Sequence, residues 1–172
     1  MGEKARLFCF YLVLLAIFTA GRWGLSLAHA DYDKTNQIFS LVILTHISAA
    51  YFGLMTRVFL RGSWKDAVMA GVKLAVASEI VIFLSTAISY ALGVQTFFNY
   101  PRALNVEAPI GIGAAMTRRF GTFLENCILN GLIGAIGYGI AGVAKPACQA
   151  DGDRAARRSV ASADDETAGH GM

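Results

Sequence analysis

The chain has 172 residues, of which 55% are hydrophobic and 16% charged, and its net charge is +3. Soluble globular domains average about 25% charged residues, so a water-facing fold of this size would be short of polar surface, and the length allows one domain. The basic residues are scattered and do not cluster with aromatics, which argues against nucleic acid as a partner. Cys9, Cys127 and Cys148 form no CxxC and no Cys/His set with zinc spacing, so neither a metal site nor a disulfide is expected.

The apolar residues come in blocks, and a hydrocarbon core of about 30 Å takes roughly 20 helical residues to cross. The expected fold is all-α, a four-transmembrane-helix bundle over residues 1–146 with spans at about 7–28, 38–60, 67–93 and 120–144. The first run, residues 7–28, has a rival reading as a secretory signal, because Lys4 and Arg6 precede it and Ala28-His29-Ala30 imitates a cleavage site. The stretch around Arg22 and Trp23 is long and bulky for a cleavage region, which favours an uncleaved first helix. Ser63 and Asp66 make a capping box at the start of the third span, with Trp64 and Lys65 as interfacial anchors.

Residues 95–119 read as a long connection holding Pro101 and Pro109, with Phe97, Phe98 and Tyr100 suited to a membrane-water interface. A loop of that length is expected to be functional or mobile. Pro146 ends the fourth span, and 147–172, poor in large apolar residues, reads as a disordered cytoplasmic tail. With the N-terminus inside, basic residues in the loops and at the span ends divide nine against four in favour of the cytoplasmic side. Arg118 and Arg119 count against that orientation, which places both termini in the cytoplasm.

Charged groups inside a span cost about 2.5–3.5 kcal/mol each on insertion scales, so each needs a partner or a purpose. Depth estimates suggest pairing Arg22 with Glu125 towards the outer side and Arg57 with Glu79 towards the inner side. At 100° per residue, His46, Gly53 and Arg57 share one face, as do Asn126, Asn130 and Gly137, from which Glu125 diverges. These residues form an expected buried polar network or, on the rival reading, an ion path. His46 in mid-span would suit haem or chlorophyll ligation, proton relay or a structural hydrogen bond. No second histidine lies at matching depth for a bis-histidine haem, and the cofactor stays unassigned. Gly131, Ala135 and Gly139 form a small-xxx-small ridge for close helix packing, inside the bundle or to a partner or second copy.

No nucleophile-base set or metal spacing appears, so no catalytic residue is expected. The sequence therefore favours a small non-catalytic accessory, assembly or scaffold component of a membrane complex, seated in the lipid bilayer. The alternative is a small oligomeric transporter or channel working through Glu79, His46 and Glu125. An enzyme or cofactor binder acting at His46 or in the 95–119 loop has the least support.

Overall fold

The computed structural model describes the backbone of residues 3–168 and the side chains of residues 5–143. Within them the chain is all-helical, with no strand, and has four helices long and apolar enough to span a membrane. These are α1 (Glu3–Leu27), α3 (Leu41–Val58), α4 (Trp64–Ala91) and α5 (Ile112–Ala168), with a one-turn helix α2 (Tyr32–Thr35) and a 3-10 turn (Pro101–Leu104) in the connections.

The local signals explain most boundaries. Ser63 accepts from the Asp66 amide at 3.3 Å while Asp66 Oδ2 accepts from the Ser63 amide at 2.8 Å, completing the expected capping box one turn before residue 67. The second span begins at Leu41 rather than 38, because Ser40 caps it through the Ile43 amide. Phe39 just before the cap has φ +53 and sends its ring against α1, edge-on to Phe18 at 5.6 Å. A Cβ on Gly21 would sit 2.6 Å from that ring, so this glycine makes the notch that Phe39 fills.

The fourth long helix begins at Ile112, not at 120, and its backbone continues through Pro146 to Ala168. Alanine, the strongest helix former, is the commonest residue over 147–168, which favours a helical backbone beyond the proline. The expected disorder over 147–172 falls on residues whose side chains lie outside the described set.

The helices run up-down-up-down. Tyr11 and Trp23 of α1 bond Leu74 and Ser85 of α4 in the same order, so those two helices are parallel. Ala67 and Gly71 of α4 meet Gly134 and Asn130 of α5 in reverse order, so that pair is antiparallel. α3, α4 and α5 pack most tightly, backbone against backbone. Gly53 faces the Gly134 carbonyl, Gly71 the Asn130 carbonyl and Gly137 the Ala50 carbonyl, each too close to admit a Cβ. In a bilayer, where lipid tails give no hydrophobic drive for helices to associate, such close van der Waals approach would hold them together. α1 lies against this core through Tyr11 and Leu15, which are 1% and 2% exposed.

The outer surface is apolar. Leu124, Ile128, Leu132, Ile136 and Ile140 form an exposed stripe at four-residue spacing along α5, the pattern of a helix facing lipid.

Candidate functional site

Two groups of polar side chains stand out. The first is central. Glu79 on α4 is 2% exposed, and the Asn126 side-chain amide of α5 donates to its Oε1. Asn130, one turn further along α5, is 1% exposed and donates to the Asn126 carbonyl at 2.8 Å. The Glu79 Oε2 and Asn130 Oδ1 atoms have no hydrogen-bond partner, and both residues line one narrow gap with Thr45, Ser78 and Asn126. That gap has no room for a water molecule. Beside it, the Tyr11 hydroxyl lies 3.0 Å from Thr45 Oγ1 and donates to the Leu74 carbonyl, tying α1 to α3 and α4.

The second group closes the opposite end of the bundle from the α3–α4 turn. The connection after α4 folds back inward, burying Phe97 and Phe98 to 4% and 1% exposure. Phe97 and Phe98, expected as aromatics of a membrane-water interface, turn into the end of the bundle, while Tyr100 stays half-buried. Several of the segment's backbone polar groups are satisfied by side chains of the helices and of the segment itself, which makes burial affordable. Ser26 accepts from the Phe97 amide at 2.9 Å and Thr86 donates to the Phe98 carbonyl at 3.3 Å. Asn99 accepts from the Thr96 amide at 2.6 Å, and Tyr90 donates to the Ile110 carbonyl at 2.7 Å. Tyr100 stacks on Tyr32 of α2 at 4.5 Å, joining the two connections.

Two guanidinium groups converge on this plug. Arg22 of α1 lies 5.6 Å from the centroid of each of the Phe97 and Phe98 rings and donates to the Asn36 carbonyl at 3.1 Å. Arg119 of α5 donates to the Phe98 carbonyl at 2.6 Å, while its Nε is buried without a partner. Both line a cavity of about 300 Å³, with Asn36, Gln37, Ser40 and Arg102 around them. Neither forms an ion pair; among the described residues the ion pairs are Lys34–Asp31 and Arg102–Asp33, both exposed.

No protein family, curated protein or solved structure matches this chain.

Against this geometry the expected pairings change. Arg22 does not meet Glu125, which is exposed beside Arg118 and Arg119 in a separate cleft of about 500 Å³. The 100° offset of Glu125 from the Asn126 face carries it outward. Arg57 does not reach Glu79 either. Its guanidinium sits 4.8 Å over the Tyr138 ring and fills the space beside Gly142 of α5. The cation whose charge acts on Glu79 is Arg119.

The His46, Gly53 and Arg57 face is turned towards α5 at Gly53 and Arg57, as their common angle requires, and His46 Nε2 is buried without a partner. Asn126, Asn130 and Gly137 form the inward face of α5, as their spacing implies. The proposed ridge divides: a Cβ on Gly131 would lie 3.3 and 3.4 Å from the Val72 and Val68 side chains of α4, Ala135 is half-buried, and Gly139 faces open space.

Arg119, Phe98, Asn36 and Tyr32 were not among the expected site residues. The adjacent Arg118-Arg119 pair at a span end was a visible signal, read there only as a count against orientation. Among the described residues no group of three or more His, Cys, Asp or Glu side chains is placed to hold a metal ion.

Proposed function

We propose that this chain is an integral membrane protein, with both termini on the cytoplasmic side, that serves as a non-catalytic accessory, assembly or scaffold component of a membrane complex. The observation that carries this reading is the environment of Glu79. The one carboxylate buried among the described residues is bonded to Asn126 of a neighbouring helix, beside a gap too narrow for water. Such a group ties two helices in register, which supports a structural role over a hydrated route. Glu125 is turned to the outside, so Glu79, His46 and Glu125 do not converge.

The cytoplasmic placement of the termini draws on the positive-charge count. Arg119, which weakened that count, is drawn into the bundle end by the Phe98 carbonyl and is not a free loop charge. A partner protein or second copy would dock through α5 at the open position of Gly139.

The rival, a small oligomeric transporter or channel, draws on the unpartnered His46 Nε2, Glu79 Oε2 and Asn130 Oδ1. Purification from native membranes in mild detergent separates the two. A heteromeric complex containing this chain, and no proton or cation flux from the reconstituted chain, is the expected result. A flux that Glu79→Gln abolishes, in protein that still inserts and assembles, would overturn the accessory reading.

A further inference from the structure

We propose that the cavity between α1, the α2 connection and α5 is a binding site for a phosphate group, gripped by Arg22 and Arg119. The proposal does not depend on the accessory role, since either reading of the bundle leaves this end as it is.

The charges around the cavity point to an anion. Two guanidinium groups from different helices line the same space, and neither has an ion-paired carboxylate. Of the acidic groups nearby, Asp33 holds Arg102 at 2.5 Å on the rim, and Glu125 is exposed in the separate cleft. Glu79, whose charge acts on Arg119, forms no ion pair with it and is bonded to Asn126 deeper in the bundle.

The remaining wall suits a ligand with several oxygens. Asn36, Gln37 and Ser40 line it with neutral polar groups, and Arg102 overhangs it from the 3-10 turn. The buried Arg119 Nε has a donor to spare, and guanidinium forks match phosphate oxygens two at a time. The space, about 300 Å³, exceeds what one carboxylate fills and admits a phosphate with part of the group it esterifies.

Position narrows the source. Arg22 lies five residues from the end of α1 and Arg119 seven residues after the start of α5. At 1.5 Å per residue that is about 7–11 Å inside the helix ends, the level at which lipid headgroups meet the hydrocarbon. The phosphate would belong to a lipid headgroup or to a soluble phosphate, and both share the chemistry the arginines recognise.

The test is calorimetric titration of the full chain in a non-ionic detergent at fixed ionic strength. One arm uses inorganic phosphate; the other uses short-chain phosphatidylglycerol, with the phosphate-free diacylglycerol of the same chains as reference. Saturable binding in either arm is expected, and the arm that binds names the source. Arg22→Gln and Arg119→Gln should each weaken it about tenfold or more, the scale of losing a charge-assisted bond, while exposed Arg118→Gln leaves it unchanged. Should the glutamine variants fail to fold, Arg22→Lys and Arg119→Lys keep the charge but lose the fork, and weaker binding is expected again. Absence of binding in both arms, or binding indifferent to Arg22 and Arg119, would overturn the proposal.

Discussion

Replacing Asn126 by leucine is expected to destabilise the bundle by about 2 kcal/mol or more, and a second change, Glu79→Leu, should recover at least half of that loss. Among the described residues the Asn126 amide is the one hydrogen-bond donor to the Glu79 side chain, and Glu79 is 2% exposed. Leaving a buried polar group without its partner costs about 1–3 kcal/mol, and more where the group is charged. Removing both partners together removes the unmet demand as well. An ordinary interhelical hydrogen bond in a membrane averages about 0.6 kcal/mol, so a loss well above that value would mark Glu79 and Asn126 as a coupled pair. Unfolding in mixed detergent, carried out as a double-mutant cycle, provides the number. Additive effects of the two changes would mean that they act independently.

Gly53→Ala and Gly71→Ala should each cost about 2–3 kcal/mol, the upper range of overpacking a filled interior. Gly139→Ala should be neutral or stabilising by up to about 1 kcal/mol, as alanine favours helix over glycine. The difference lies in what a methyl group meets. At Gly53 and Gly71 it runs into the backbone carbonyls of Gly134 and Asn130, which cannot turn aside as a side-chain tip can. At Gly139 it meets nothing within 4 Å. Thermal melting of the three variants in one detergent checks the ranking. Equal losses at Gly53 and Gly139 would contradict the packing described.

Much of the architecture is written in local signals. Apolar blocks long enough to cross a bilayer give the four helices, and Ser63 with Asp66 marks the start of α4. Helical angles alone put Asn126, Asn130 and Gly137 on one face, and that face points into the bundle. Partner choice was not legible in this way. Depth along a helix says which residues share a layer, but not which way a side chain is rotated. Arg22 and Glu125 are therefore not partnered, and Arg57 finds Tyr138 in place of Glu79.

The glycine ridge shows the same limit. Spacing identifies Gly131, Ala135 and Gly139 as a close-packing motif, yet the tight contacts fall one row away, at Gly134 and Gly137. Hardest to foresee was the plug. Phe97 and Phe98 between a glycine turn and a proline resemble interfacial aromatics, and their burial depends on hydroxyls of Ser26 and Thr86 that are distant in sequence. The arginine cavity exists only because that segment folds back.

The central claim is that the four long helices stand in lipid with their polar groups turned towards one another. Spin labels at Leu132 and Ile136 on the outer stripe of α5, and at Ser78 in the interior, placed in a chain with its native cysteines replaced, test it directly. The account predicts that oxygen dissolved in the lipid relaxes the labels at 132 and 136 strongly, that a water-soluble nickel chelate does not, and that the label at 78 is shielded from both. Stronger relaxation by the nickel chelate at 132 and 136, or strong relaxation by oxygen at 78, would contradict it.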